Sequence, residues 1–429
     1  MKSERQSQDL RSLIYEWNQQ EKTYRLPKNT VKRPKILDET LRDGLQSTTV
    51  KDPSIEEKIE LLHIMCDLGI DAVNIGFAAA APRIYEDALA LAKVIRDEKL
   101  PITPYCLGRT VVDDVQKIVE ISRTLDFEVQ AFLFVGASPI RHFVENWSLE
   151  TLLERTEQAV RHARKNHLTT MFFTEDTTRS HPNVLKALWK KAIAAGANRL
   201  GIADTVGYVN PQGVSQIVQF CRSVIQSTGK KIGIDFHGHN DRGLSVANSL
   251  AAVRAGADRV HGCALAIGER VGNTSMEQLL VNLKLEGYPN FTDRNLSRLR
   301  DYVNLVSNAC KIPIPSDYPI VGENAFRTST GIHAAAVIKA HKMGGYWLAD
   351  RVYSAVPAEE IGLGQVIEVG PQSGKSNVQH WLTKQGYHEE AASDEVITRI
   401  LESVKEEDRI LLEHELHELV NAFKAKIFA

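Results

Sequence analysis

The five cysteines, Cys66, Cys106, Cys221, Cys263 and Cys310, include no CxxC pair. Scattered thiols fit a reducing cytoplasm and exclude a disulfide-stapled scaffold. No apolar run reaches the ~18–20 residues that a membrane span needs. Residues 1–33 are polar and mixed in charge, without the apolar core of a signal peptide. They are expected to form an arm with a short helix around Leu10–Trp17. Charge of one sign is also lacking: 52 Lys and Arg oppose 54 Asp and Glu, a formal net charge of −2. No basic field marks a nucleic-acid or anionic-membrane partner. What remains is a soluble globular chain, long enough for one large domain and one or two smaller ones.

After Arg33, β-rich runs alternate with amphipathic helical runs. The strands expected are Lys35–Leu37, Asp71–Gly76, Ile102–Leu107, Phe127–Phe134, Thr169–Thr174, Arg199–Ala203, Lys231–Phe236 and Asp258–Cys263. Eight βα units over about 250 residues match a (β/α)₈ TIM barrel. An open doubly wound sheet, the structural rival, would carry a Gly-rich fingerprint after its first strand, and none is there. Ser54 and Glu57 are spaced as a capping box, and Gly69, Gly196 and Gly256 are placed to end helices. Ala195-Gly-Ala-Asn-Arg199 and Ala255-Gly-Ala-Asp-Arg259 are near copies, the echo of two βα units. Beyond Ile312, prolines and Gly/Ser-rich stretches give way to charged helical sequence. The expected organisation is an arm (1–33), the barrel (34–300), a small α+β post-barrel subdomain (301–376) and a helical C-terminal subdomain (377–429). The charged pattern Leu401–Lys424 fits a solvated helix face.

In a barrel of this kind, reactive groups sit at the C-terminal ends of the strands. Strand 1 ends in Asp38-Glu-Thr-Leu-Arg-Asp-Gly-Leu-Gln46, strand 5 in Glu175-Asp-Thr-Thr-Arg179 and strand 6 in Asp204-Thr-Val-Gly-Tyr208. Strand 7 ends in His237-Gly-His-Asn-Asp241, and strand 8 leads to Gly268-Glu-Arg-Val-Gly-Asn273. His237 and His239, two apart on an extended segment, point the same way, as two ligands of one metal must. With the Asp43 carboxylate and the Asn273 amide at neighbouring strand ends they make a mixed N/O set suited to Mg²⁺, Mn²⁺ or Zn²⁺. A barrel amidohydrolase also uses HxH, but on its first strand. Arg42 suits an enolate or carboxylate oxygen. Glu175 and Asp176 are each either a general base or the partner of Arg42 or Arg179. Thr205 is a donor for a substrate carboxylate.

These motifs resemble the DRE-TIM metallolyases, a family that includes 2-isopropylmalate, homocitrate and citramalate synthases and HMG-CoA lyase. The resemblance covers residues 34 to 375: RDGxQ, ED, DTVGY, HGHND and GERxGN occur in order. It implies metal binding by Asp43, His237, His239 and Asn273, and an eponymous trio of Asp43, Arg42 and Glu175. Gln46, Phe132, Ala137, Thr205 and Glu269 complete the implied substrate-binding set. The strand-8 loop, Cys263-Ala-Leu-Ala-Ile-Gly-Glu-Arg-Val-Gly-Asn273, is similar to the synthase form, and Cys263 is not expected to serve as the lyase thiol. Gly322–His333 resembles the synthases' post-barrel region, which implies a domain-swapped homodimer with His333 completing the partner's site.

The implied reaction is condensation of acetyl-CoA with an α-keto acid to a 2-alkylmalate-type product. Ala78, Phe132, Ala137, Leu265 and Ala266 stand where the 2-isopropylmalate synthase pattern has Pro, His, Thr, Asn and Gly. These departures favour an apolar keto acid. Arg141 and His142 are expected past strand 4, outside the pocket. The rival readings are a dicarboxylate-specific or citramalate-forming synthase, the reverse lyase chemistry, and a homologue without catalysis; Thr328 and Ser329, in place of the usual His-Glu, support only the last.

Overall fold

Runs such as Ala131–Val135 and Met171–Thr174 are apolar on both faces, as strands covered inside and outside must be. In the computed structural model, which describes residues 33–387 and 393–427, they form a closed barrel. Its strands are β1 (Lys35–Asp38), β2 (Ala72–Asn74), β3 (Thr103–Arg109), β4 (Gln130–Gly136), β5 (Thr170–Glu175), β6 (Arg199–Asp204), β7 (Gly233–Gly238) and β8 (Arg259–Gly262). Each pairs in parallel with its sequence neighbour, and β8 closes on β1 in the register Ile36↔Val260. All eight expected strands are present, most displaced by one to three residues. The largest shift is at β4, because Asp126 turns left-handed (φ 48°) and Phe127 N–H still donates to Ser122 at the end of the preceding helix.

The outer helices are α1 (Ile55–Asp67), α2 (Pro82–Asp97), α3 (Val112–Leu125), α4 (Pro139–Glu145), α5 (Leu149–Lys165), α6 (Pro182–Ala195), α7 (Pro211–Gln226), α8 (Ser245–Ala255) and α9 (Met276–Leu285). A short α10 (Pro289–Thr292) and α11 (Leu299–Cys310) follow, the latter packed on α1. The capping box is formed: Glu57 N–H donates to Ser54 Oγ and Ser54 N–H to the Glu57 carboxylate. Pro opens α2, α4, α6, α7 and α10, at the helical position where a missing N–H costs least. Gly196 and Gly256 end α6 and α8 at φ of 118° and 110°, left-handed values that glycine adopts without Cβ strain.

The barrel interior has two characters. Strands β3 to β6 contribute Tyr105, Leu107, Phe132, Met171, Phe173 and Ala203, an apolar cluster. Strands β7, β8 and β1 contribute Asp235, Arg259 and His261, with Glu39 just beyond β1, all buried.

The chain divides into compact units between Ile314 and Pro315. In the second unit, β9 (Arg327–Thr328) pairs in parallel with β10 (Val366–Ile367), and α12 (Gly331–Val352) is broken at Gly344 and Gly345. Helices α13 (Lys375–Lys384), α14 (Asp394–Lys405) and α15 (Glu413–Ile427) bury Trp381, Ile400, Leu416 and Val420 in a separate core. The pattern Leu401–Lys424 is therefore two helices and a loop, pinned where Leu411 N–H donates to Val369. The expected arm helix around Leu10–Trp17 lies outside the described residues.

Candidate active site

The turn after β1 is closed by the N–H groups of Arg42 and Gly44, both donating to the Glu39 carbonyl, and this presents Asp43 to the barrel mouth. His237, in β7, and His239 direct their rings at it. Asp43 Oδ2 lies 3.0 Å from His237 Nε2 and 3.5 Å from His239 Nε2, and the two nitrogens are 3.3 Å apart. Asn273 pairs with His239 across an antiparallel bridge. Its amide nitrogen donates to the Ile267 carbonyl at 2.9 Å, while its Oδ1 is buried and has no hydrogen-bond partner among the described residues.

These residues fit a divalent cation. Bonds of about 2.1 Å place neighbouring donors about 3.0 Å apart in an octahedron and about 3.4 Å in a tetrahedron. Burial, only partly opposed by Asp43, pushes His239 down to about 4, leaving a neutral ring with a free lone pair near neutrality. Burial would raise the Asp43 carboxyl, but Arg42 and the His237 hydrogen bond hold it far below the usual carboxylate range.

Arg42 stays charged although it is buried, because Glu39 and Asp43 flank it. Its Nε and Nη2 donate to Glu39 Oε2 at 2.9 and 2.6 Å, and its Nη1 stands 3.5 Å from Asp43 and 3.4 Å from Gln46 Oε1. Its guanidinium lies 5.7 Å over the Phe132 ring. The carboxylate paired with Arg42 is thus Glu39, and of the two readings of Glu175 its pairing with Arg42 is corrected. Glu39 comes from the Arg42 turn itself, three residues away, whereas Glu175 faces Arg141 Nε at 3.7 Å.

That contact corrects a second expectation. Arg141 is not outside the site. Helix α4 folds back across the β4 end, where Gly136 leaves room: a Cβ there would meet Arg141 Cγ at 2.9 Å. Arg141, Ser138, Glu175, Arg179 and Thr205 line a cavity of 220 Å³ with Ile140 and Val206. Burial raises the Glu175 carboxyl, Arg141 opposes the rise, and Asp176 and Glu269 add to it. Asp176 instead holds Arg179, at 2.7 Å, and its N–H donates to Thr205 Oγ1.

Phe132 is buried against Phe173, ring centroids 4.5 Å apart, and Ala137 follows β4 with its N–H on the Glu175 carbonyl. Gln46 and Glu269 are exposed at the mouth. Cys263 is buried, and burial with three nearby carboxylates drives its thiol far up, which suits a structural role. His333 belongs to the other compact unit, exposed near the start of α12 with its ring 4.2 Å from that of Tyr353.

Sequence reasoning missed Glu39, Asn74, Asp235, Arg259 and His261. A signal existed. Asp235 stands two before His237, and Arg259 two before His261, so strand alternation puts each pair on one face.

The HMGL-like family model matches residues 33–306. A probable 2-isopropylmalate synthase of Methanopyrus kandleri is 32% identical over 86% of this chain and 70% of its own. The 2-isopropylmalate synthase of Sulfolobus acidocaldarius is 33% identical over 87% and 90%. A Bacillus subtilis HMG-CoA lyase structure shares the fold, with a TM-score of 0.54 at 21% identity over 67% of this chain and 97% of its own. A family match over most of the barrel, with relatives above 30% identity on both sides of the alignment, makes this chain a member of the HMGL-like, DRE-TIM family of enzymes.

Proposed function

We propose that this enzyme joins the methyl carbon of acetyl-CoA to the ketone carbon of an α-keto acid and that water then cleaves the thioester, releasing CoA as the free thiol, with a divalent metal (Mg²⁺, Mn²⁺ or Zn²⁺) held by Asp43, His237, His239 and Asn273. The observation that carries this reading is the convergence of three ligand atoms within 3.5 Å of one another, beside the Arg42 guanidinium. The bound cation supplies Lewis-acid polarisation of the keto acid's carbonyl. Glu175, with its raised carboxyl, takes a proton from the thioester methyl group. Arg42 keeps Nη1 for the oxygen that gains charge, since Nε and Nη2 are committed to Glu39. Thr205 donates to the keto acid's carboxylate, while Gln46 and Glu269 contact substrate at the mouth. His333 of a second copy completes the site in a domain-swapped homodimer.

Phe132 in β4 and Ala137 just beyond it are apolar where the 2-isopropylmalate synthase pattern has His and Thr, which favours an apolar keto acid. A dicarboxylate keto acid is the second reading, favoured by Arg141 at the cavity. Its charge is already matched, however, by Glu145 at 3.2 Å and Glu175 at 3.7 Å. The test is thiol release from acetyl-CoA across a panel of α-keto acids. Apolar acids are expected to exceed glyoxylate and α-ketoglutarate by roughly tenfold or more in kcat/KM, from ~0.8 kcal/mol per buried methylene. If α-ketoglutarate is best, the dicarboxylate reading replaces this one. If no acid releases thiol but a 3-hydroxyacyl-CoA is cleaved, the enzyme is a lyase.

A further inference from the structure

Below the metal ligands, a run of buried ionisable groups crosses the barrel interior with no assigned role. Arg199 Nε and Arg259 Nε donate to the two oxygens of Asp235, each at 2.5 Å. His261 Nε2 lies 3.1 Å from Asp235 Oδ2, and His261 Nδ1 lies 3.1 Å from Glu39 Oε1. The other Glu39 oxygen receives Arg42 and the Asn74 amide, the latter at 3.0 Å. Asp235, His261 and Glu39 are all withdrawn from solvent. Each ring nitrogen thus stands within hydrogen-bond distance of one carboxylate oxygen, so the ring bridges the two groups.

We propose that His261 is a positioning residue: by bridging Asp235 and Glu39 it fixes the carboxylate that orients Arg42. The inference rests on the role given to Arg42 above. Glu39 can turn about its terminal bonds, and Arg42 and Asn74 hold only one of its oxygens. His261 holds the other, and its ring cannot swing aside. The Phe173, His237 and Phe132 rings stand at 5.4, 5.6 and 6.0 Å from it. Asp235 is anchored in turn by two arginines. Removing His261 frees Glu39 to rotate, and the guanidinium loses its single orientation while the metal ligands keep theirs. Glu39, His237 and His261 could themselves hold an ion, so a second metal is the rival explanation of the cluster. Here Glu39 and His261 are already engaged with Arg42, Asn74 and Asp235.

The test uses the full-length, metal-loaded enzyme and the variants His261→Phe, which keeps the shape and removes both ring nitrogens, and His261→Gln, which keeps one polar contact. Metal per chain, thermal midpoint, kcat and both KM values are measured. His261→Phe is expected to lower kcat about a hundredfold, the scale of a lost oxyanion donor. Both KM values should stay within about threefold and metal content at one per chain. His261→Gln is expected to lose about tenfold. A cycle with Arg42→Lys separates positioning from general damage: on that background His261→Phe should cost little more. A full additional hundredfold loss there, or two metals per wild-type chain falling to one in the variants, overturns the proposal. Should His261→Phe not fold, His261→Gln carries the same cycle, and a crystal structure of it must show Arg42 displaced from its two-nitrogen contact with Glu39. An unchanged pair refutes the proposal independently of activity. If Arg42→Lys itself leaves kcat unaltered, it is the role of Arg42 that has failed.

Discussion

Phe132→Ala probes the keto-acid pocket and the core at once. The ring is buried, pairs with Phe173 and lies beneath Arg42. Truncating a buried Phe costs ~3–5 kcal/mol. At the low end, ~3 kcal/mol lowers the melting midpoint by roughly 6–12 °C on the scale of domains of ~150–250 residues. The space vacated takes two or three methylenes. At ~0.8 kcal/mol each, a longer keto acid gains ~1.6–2.4 kcal/mol over a shorter one, about 15- to 60-fold in relative kcat/KM. The assay is thiol release with straight-chain keto acids of increasing length, beside a melting curve. The ratio should climb with each added carbon until the space is filled. If the midpoint falls as expected but the ratio between long and short acids does not move, Phe132 supports the core without bounding the substrate.

Three further outcomes follow from the site. His237→Ala or Asp43→Ala should abolish turnover and metal retention while the barrel's circular dichroism is unchanged; activity persisting in chelator-treated buffer would rule out a metal mechanism. Glu175→Gln should lower kcat by ~10²–10⁴. In the wild type, a base works deprotonated, so kcat/KM should fall as pH drops through a midpoint above the ordinary Glu value of ~4.3; a limb at or below that value, or one that survives Glu175→Gln, removes Glu175 from the role. Mixing inactive Arg42→Ala and His333→Ala chains under subunit exchange should restore part of the activity; exchanged, folded dimers without activity would show that His333 does not act in trans.

Strand count and strand ends were legible because both are local. A short apolar run followed by a polar cluster marks a strand stopping at the mouth, and Asp43, His237, His239 and Asn273 each lay in such a cluster. The partner of Arg42 was not legible in the same way. Glu39 sits in the strand-1 motif, but which carboxylate a guanidinium meets depends on side-chain direction at the barrel mouth, which spacing alone does not give. Arg141 reads from sequence as lying outside the pocket because distance along the chain from β4 says nothing of α4 folding back over Gly136. Asp235 and His261 could have been found by carrying the period-two reading of β7 and β8 one step inward, below the residues that look reactive.

The buried column from Arg199 to Arg42 also constrains how this site could be inherited or transplanted. Taking away a buried charged member such as Glu39, Asp235 or Arg259 leaves an unmatched charge in the interior, ~3–5 kcal/mol by the usual cost of breaking a buried pair, whereas exchanging the whole set for well-packed apolar residues is often neutral or better. Single steps are therefore steep and concerted ones are not. Residues 39, 74, 199, 235, 259 and 261 should drift as a block through descent, each substitution admissible only on a background that already carries its counterpart. A designer moving the Asp43-His237-His239 constellation into another barrel would have to bring the block along, although none of its members is among the proposed metal ligands.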